Sequence, residues 1–185
     1  LGNGASICAV NKGKCLDTSM GFTPLEGVPM GTRSGNIDPS VIEYLMQKEG
    51  WDIARTIKYL NKECGVLGMS ENSSDFRDLM AEGKFNGLNK LAVDAFAYHV
   101  KKYVGSYAAV MNGVDCIVFT AGVGENDPYI REKVAGQLSY MGVDFDVDAN
   151  KNFKRGQICE ISKPDSKVKA YIIPTNEELV IARDT

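Results

Sequence analysis

Short apolar runs along the chain alternate with longer stretches in which apolar residues repeat at helical spacing. An apolar run at residues 5–10, a polar Asn-Lys-Gly turn and a return at residues 15–18 predict a β-hairpin. The continuous apolar run at residues 116–120 is typical of a buried strand. Strand character recurs in the last third of the chain, at residues 142–147, 157–161 and 169–173.

Helical spacing dominates the middle of the chain, where apolar residues lie three and four positions apart. Helices are predicted from Pro39 onward, at about 51–61, from Ser73, at about 86–111, at about 128–141, and after Asn176. Residues 21–39 and 64–69 have the glycine and polar content of loops. Strands and helices in this order predict an α/β fold with a mixed sheet flanked by helices.

Composition and charge narrow the class of protein. With 44% hydrophobic and 24% charged residues, the 185-residue chain matches an ordinary globular protein and differs from disordered or fibrous ones. Its formal net charge of −3 offers no basic surface for nucleic acid. No apolar run approaches the ~18 residues that a membrane span requires. We therefore expect neither a nucleic-acid partner nor a membrane.

Five cysteines and a single histidine bear on metal and redox chemistry. The cysteines are spread along the chain without a CxxC pair, which argues against a zinc site. Free thiols are typical of a reducing compartment, so we expect a cytoplasmic protein. His99 lies on the apolar stripe of the longest predicted helix, and we interpret it as a packing residue.

Both ends of the chain fall inside structural patterns. Leu1 leads directly into a Gly-Asn-Gly turn, and Thr185 follows a pattern typical of a helix. We therefore expect residues 1–185 to be a single domain of a longer protein, cut at both ends.

Four turns rich in glycine, asparagine and threonine are candidate ligand contacts. They are Gly2-Asn3-Gly4-Ala5-Ser6, Gly31-Thr32-Arg33-Ser34-Gly35, Gly122-Val123-Gly124-Glu125-Asn126 and Thr175-Asn176-Glu177-Glu178. The third follows a buried strand and precedes a helix, where backbone N–H groups and a helix N-terminus can face a phosphate. The same pattern occurs in plain strand–helix connections, and it is neither a Walker A loop nor a complete GxGxxG.

Charged residues in two of these turns have two interpretations each. Arg33, between two glycines, can offer its planar guanidinium to a phosphate or carboxylate, or it can be a surface charge. Glu177 and Glu178 can complement the dipole of the terminal helix. Alternatively, one of them can bind Mg²⁺, which at phosphate sites takes one or two carboxylates plus water.

Longer motifs, in the same order along the chain, resemble the acetate kinase family. These are Asn-Gly-Ala-Ser at residues 3–6, the segments 17–27 and 30–35, the segment 119–126, and the closing segment 174–179. The resemblance covers essentially the whole chain. Its most specific part is Met-Gly-Phe-Thr-Pro-Leu-Glu-Gly at residues 20–27.

The resemblance implies both a fold and a reaction. The implied fold is an actin-like, sugar-kinase-like (ribonuclease H-like) domain, the C-terminal nucleotide-binding half of a homodimeric two-domain kinase. The implied reaction is ATP + acetate ⇌ ADP + acetyl phosphate, with Mg²⁺ as cofactor. Family catalytic residues that belong upstream of this half are not in the chain, so the isolated chain is expected to be inactive.

Carried over by position, the resemblance also implies roles for particular residues. Arg33 is implied to contact acetate and the transferred phosphoryl group, and Glu177 to hold Mg²⁺, with Glu178 as the second choice. The implied nucleotide-binding residues are Asn3, Gly4, Asp75, Phe76, Arg77, Gly122, Val123, Gly124, Glu125 and Asn126.

Three alternatives stay open at this point. Propionate and butyrate kinases share these motifs, and the choice of acyl chain depends on pocket volume, much of which is contributed by residues upstream of this chain. A non-catalytic, actin-like nucleotide-binding module would keep the glycine turns without needing Arg33. A dinucleotide-binding oxidoreductase requires an acidic residue ~20 positions beyond a GxGxxG turn. Asp144 and Asp146 lie near that distance from Gly124, but the third glycine is missing.

Overall fold

A computed structural model describes residues 1–176 and 182–183 of the chain. The chain forms two compact units, Gly2–Asn112 and Gly113–Thr185, with Leu1 belonging to the second. Both units lie inside the stretch predicted as a single nucleotide-binding domain, and that assignment stays a prediction. Within the described ranges, no helix combines the length and the apolar character needed to cross a membrane.

The unit Gly2–Asn112 begins with the predicted hairpin and continues with helices. Its elements are β1 (Cys8–Asn11), β2 (Lys14–Thr18), α1 (Ser40–Glu49), α2 (Ile53–Lys62), α3 (Gly65–Ser70), α4 (Phe76–Leu79) and α5 (Gly87–Val110). Lys12 and Gly13 join the strands at φ of 49° and 76°. Positive φ at both positions is the geometry of a type I′ turn, whose twist matches that of the antiparallel strands.

The core of this unit forms around α5. Val93, Phe96 and Val100 are fully buried on one side of this helix. The ring of Phe76 from α4 meets that of Phe96 edge-on, with centroids 4.8 Å apart. Such aromatic pairs add ~1 kcal/mol to the stabilisation from buried area. The helical stripe predicted at residues 86–111 therefore forms the central packing surface.

The unit Gly113–Thr185 contains a three-stranded sheet with helices. Its elements are β3 (Cys116–Phe119), α6 (Ala121–Asn126), α7 (Pro128–Ala135), a 3₁₀ turn (Ser139–Met141), α8 (Val147–Lys151), β4 (Cys159–Glu160) and β5 (Lys169–Ile172). The strand order is β3-β5-β4. The β3–β5 pair is parallel and the β4–β5 pair is antiparallel, which confirms the predicted α/β class with a mixed sheet.

Two segments predicted as connections are helical. Most of residues 64–69 belong to α3, because the left-handed Gly65 (φ +61°) lets this helix begin directly against another backbone segment. Residues 121–126 form α6, whose first amide donates to the Glu125 carboxylate one turn later, at 2.7 Å. In both places the glycines suggested a loop, whereas each segment forms a short helix.

Two predicted boundaries in the second unit are wrong. Residues 142–147 make only an isolated antiparallel bridge, between Phe145 and Ser162. The Asp146 carboxylate accepts the Ala149 N–H at 2.8 Å and so begins α8, which ends the extended conformation. The helix predicted at about 128–141 stops at Ala135, and Gly136 follows it as the C-cap.

Candidate functional site

The Asn3-Gly4 turn lies against the loop that carries Arg33. The Gly31 N–H donates to the Asn3 carbonyl at 2.8 Å. A Cβ atom on Gly31 would lie 1.6 Å from Asn3 Oδ1, and one on Gly4 would lie 3.7 Å from Arg33 Nη1. Two motifs that the sequence separates by almost thirty residues are therefore adjacent in the structure.

The guanidinium of Arg33 is half-buried and is held by neutral acceptors. Its Nη1 donates to the Pro24 carbonyl at 3.3 Å and lies 3.5 Å from the sulfur of Met30. Among residues 1–176 and 182–183, no carboxylate forms an ion pair with it. A cation with no counter-charge among these residues, beside a glycine turn, is suited to bind an anion.

Helices α2 and α3 hold the backbone around Arg33. The N–H groups of Cys64, Val66 and Leu67 donate to the carbonyls of Thr32, Met30 and Gly31 at 3.0, 2.8 and 2.9 Å. At Gly65 a Cβ atom would lie 2.1 Å from the Met30 carbonyl oxygen. First-turn amides of α3 that have no partner inside the helix are thereby satisfied, and the Arg33 loop is fixed at several points.

The segment Asp75-Phe76-Arg77 divides into an exposed ion pair and a buried ring. Asp75 caps α4 by accepting the Arg77 N–H at 2.9 Å, and their side chains pair at 2.5 Å. This hydrogen bonding from Arg77 lowers the pKa of Asp75. Phe76 packs in the core, so any contact of this residue with a nucleotide would involve its backbone. The nucleotide role of the segment stays a prediction.

In the second unit, most of the N-terminal amides of α6 already have protein partners. The Ala121 N–H donates to Glu125 Oε1. The Val123 and Gly124 N–H groups donate to the Leu1 carbonyl at 2.8 and 3.0 Å. These three amides are therefore not free to bind a phosphate, and a ligand at Gly122–Asn126 would have to use other groups of the segment. The nucleotide role of these residues stays a prediction.

The Glu125 carboxylate connects α6 to the turn that follows β5. Besides the Ala121 amide, Oε1 accepts the N–H and the hydroxyl of Thr175, at 2.9 and 3.1 Å. One carboxylate oxygen thus joins two of the four glycine- and threonine-rich turns. The predicted metal ligand Glu177, and Glu178 beside it, lie outside the described residues.

Arg131 is a site-supporting residue that sequence reasoning missed. It is fully buried on α7, and its Nη1 donates to the carbonyls of Gly124 and Glu125, both at 2.9 Å. Its Nε donates to Asn150 Oδ1 at 2.7 Å, and its guanidinium lies 4.4 Å from the ring centre of Phe153. Burial lowers the pKa of Arg131 to about 10. No sequence signal distinguishes it from a surface arginine.

The described residues do not form a metal centre by themselves. No group of three or more histidine, cysteine, aspartate or glutamate side chains comes together in residues 1–176 and 182–183. The Glu125 carboxylate accepts hydrogen bonds from protein donors, namely the Ala121 amide and the amide and hydroxyl of Thr175.

Comparisons with known proteins agree on one family. The sequence model of the Acetokinase family matches residues 1–183. The curated acetate kinase of Caldicellulosiruptor saccharolyticus is 59% identical over 186 residues, covering 100% of this chain and 47% of the relative. The chain thus spans about half the length of the curated relatives it matches.

Solved structures give the same result. The acetate kinase of Porphyromonas gingivalis superposes with a TM-score of 0.93 at 49% identity, covering 100% of this chain and 46% of that protein. A propionate kinase from Francisella tularensis superposes with a TM-score of 0.89 at 42% identity, covering 100% of this chain and 47% of that protein. Members with two different acyl substrates therefore share this half of the architecture.

Proposed function

The chain belongs to the acetokinase family, and from this premise we propose that its protein transfers a phosphoryl group between ATP and acetate. The products in the forward direction are ADP and acetyl phosphate. The chain supplies the C-terminal, nucleotide-binding half of a homodimeric cytoplasmic kinase with an actin-like, sugar-kinase-like (ribonuclease H-like) fold. The curated acetate kinases that match the whole chain support this assignment.

The observation that carries the proposal is the position of Arg33. Phosphoryl transfer depends mainly on positioning and on neutralising charge on the transferred group. The Arg33 guanidinium lies beside the Asn3-Gly4 turn, has no carboxylate partner among the described residues, and is attached to a loop that two helices hold. Arg33 is therefore proposed to contact acetate and the phosphoryl group during transfer, while Asn3 and Gly4 bind the phosphate chain of the nucleotide.

The remaining nucleotide contacts are proposed to come from two segments. Asp75, Phe76 and Arg77 would lie near the adenosine, and Gly122, Val123, Gly124, Glu125 and Asn126 would line the nucleotide pocket. Bound Mg²⁺ would supply positive charge to the phosphate oxygens. Glu177 is proposed as its ligand, with Glu178 as the second choice, because Mg²⁺ at such sites needs only one or two carboxylates.

A second candidate is the same chemistry on a longer acid. The superposition with a propionate kinase favours it specifically, since that protein shares this half of the fold at 42% identity. Arg33 would keep its role, because the carboxylate is common to both substrates.

The test compares acids directly in the protein that contains this chain. Acyl phosphate formed from ATP and acetate, propionate or butyrate is trapped with hydroxylamine and quantified for each acid. The proposal expects the highest kcat/KM with acetate. A preference for propionate would select the second candidate. Nucleotide binding with no acyl phosphate from any of the three acids would contradict both and favour a non-catalytic nucleotide-binding module.

A further inference from the structure

The β1–β2 hairpin carries two cysteines on one exposed face. Val10 pairs with Cys15 across the hairpin, and Cys8 lies two residues before Val10 on the same strand. Because side chains alternate along a strand and opposed residues share a face, Cys8, Val10 and Cys15 point to the same side. All three are exposed, whereas Ala9, between Cys8 and Val10, is buried.

The two thiols are in direct contact. Their Sγ atoms lie 3.2 Å apart and share a hydrogen bond. Diagonal neighbours on a sheet are ordinarily ~7–8 Å apart at the backbone, near the limit for a disulfide. Here the register shifts between Ala9 and Val10, because β2 contains one extra residue at this point. The backbone spacing between positions 8 and 15 therefore differs from that of a regular diagonal pair. A disulfide bond of ~2.05 Å requires the sulfurs to approach by only about 1.1 Å.

We propose that Cys8 and Cys15 form a dithiol–disulfide site that exchanges reversibly with disulfides of low-molecular-weight thiols. The site depends on the hairpin geometry alone and is independent of the proposed kinase function. The remaining cysteines are Cys64, Cys116 and Cys159, all free thiols in this structure. They serve as internal references for the reactivity of the pair.

The exchange proceeds in two balanced steps. Hydrogen bonding to Cys15 raises the pKa of Cys8, which therefore keeps its proton through the first step. The Cys15 thiolate attacks a small-molecule disulfide RSSR, forms a mixed disulfide and releases one thiolate RS⁻. Cys8 then gives its proton to solvent and attacks the Cys15 sulfur, releasing the second RS⁻. In total, two cysteine thiols are oxidised and RSSR is reduced to two RSH.

Closure of the disulfide would link the strands beside the proposed phosphate turn. Just before β1, the Ile7 N–H donates to Ser19 Oγ and the Ser19 N–H donates to the Ile7 carbonyl, both at 2.9 Å. These bonds join the two strands at the base of the hairpin, four residues after Asn3. Oxidation would add a covalent link between Cys8, one residue after Ile7, and Cys15, four residues before Ser19, so the hairpin amides should exchange more slowly with solvent.

The test uses the reduced protein that contains this chain, incubated with oxidised glutathione and then alkylated. Intact mass and peptide mapping should show a loss of two hydrogens and a single disulfide joining the Cys8 and Cys15 peptides. Dithiothreitol should restore both alkylatable thiols. Hydrogen exchange on the same samples should show slower exchange at residues 8–18 only after oxidation. These wild-type measurements need no variant to fold.

Matched variants assign the reactive thiols. Cys8→Ser and Cys15→Ser should each stop at a mixed disulfide on the remaining thiol of the pair, without forming the intramolecular disulfide. Cys116→Ser, at an exposed thiol on β3, should behave like the wild type. The proposal is overturned if Cys8 and Cys15 both remain alkylatable under conditions that oxidise any other cysteine, or if the mapped disulfide joins a different pair.

Discussion

Arg33 is a half-buried cation whose position is set by backbone contacts. Three amides at the junction of α2 and α3 hold the carbonyls of residues 30–32, and the Arg33 guanidinium reaches back to the Pro24 carbonyl. A charge held in this way has already lost much of its side-chain freedom before a ligand binds. Ordering the Arg33 side chain then costs little further free energy when a substrate binds and reacts.

Replacing Arg33 with alanine should lower kcat by ~10³-fold or more in the protein that contains this chain. An arginine that stabilises developing phosphoryl charge contributes mainly in the transition state, so the KM for ATP should change little. Arg33→Lys should restore only part of the rate, because an ammonium cannot replace the planar fork. The control is Arg155→Ala, at an exposed arginine. A kcat near the wild-type value in Arg33→Ala would contradict the assignment.

The two carboxylates predicted at the end of the chain should differ in their effect on metal dependence. Adjacent residues on a helix point about 100° apart, so Glu177 and Glu178 cannot face one phosphate equally. Glu177→Gln should raise the Mg²⁺ concentration needed for half-maximal activity, and Glu178→Gln should raise it much less. A larger increase in the Mg²⁺ requirement in Glu178→Gln than in Glu177→Gln would identify Glu178 as the metal ligand. No change in either variant would leave only the helix-dipole interpretation.

His99, the single histidine of the chain, should make stability depend on pH. Burial, followed by the charge of Lys102, lowers its pKa below 6.5 in the folded protein. Between the folded pKa and 6.5 the unfolded chain binds more protons, so the free energy of unfolding falls as the pH drops through this window. Urea midpoints of the wild type and His99→Gln, measured at pH 7.5 and downward, should diverge below pH 6.5. A difference between the two urea midpoints that stays the same at every pH would contradict a role for His99 in this pH dependence.

Short helices are the elements on which this structure departs most from its sequence pattern. The long stripes of α5 and the apolar run of β3 were predictable, because period and burial agree over many residues. Helices α3 and α6 were not, since their glycines are typical of loops and their stability depends on distant partners such as the Met30 and Leu1 carbonyls. The strand predicted at 142–147 fails for a similar reason, since Asp146 caps α8 locally.

The candidate site was predictable to a similar extent. The motifs themselves could be identified, but the contact of Asn3 with Gly31 and the linkage of Glu125 to Thr175 join residues far apart in the chain. Such contacts leave no periodic signal. Arg131 is the clearest example, because only the fold shows that it is buried and that it donates to the last carbonyls of α6.

Arg131→Met should lower the free energy of unfolding by about 3 kcal/mol. The variant keeps much of the side-chain volume but leaves buried carbonyls of Gly124 and Glu125 and the Asn150 amide oxygen without their donor, and each such loss costs about 1–3 kcal/mol. The matched control Arg155→Met, at an exposed position, should change the free energy of unfolding by less than about 0.5 kcal/mol. Urea denaturation measures both. Equal changes in the free energy of unfolding in the two variants would show that the hydrogen bonds of the Arg131 guanidinium do not contribute to stability.

At the scale of the whole molecule, the chain matches about half of each relative yet superposes on solved family members along its full length. It forms two compact units, each with its own core. One unit holds the Asn3 and Arg33 turns, and the other holds α6 and the Thr175 turn. The residues proposed to contact nucleotide are present in the chain, while the family residues that the resemblance places upstream are not.

The isolated 185-residue chain should therefore bind nucleotide without catalysing transfer. Titration calorimetry should detect binding of ADP with Mg²⁺, because both proposed nucleotide segments are present. The same sample should form no acetyl phosphate from ATP and acetate, whereas the longer protein should. Acetyl phosphate formation by the isolated chain would show that residues 1–185 contain all the groups required. Absence of nucleotide binding would contradict the assigned segments.

The missing side chain at Gly31 leaves the space that the Asn3 amide occupies, with a would-be Cβ only 1.6 Å from Oδ1. The two positions are therefore coupled. A larger residue at 31 requires the Asn3 side chain to move away or to become smaller, so the effect of a substitution at 31 depends on the residue at 3. A selected role for the Asn3 amide in binding phosphate would oppose either change, and so would keep glycine at 31.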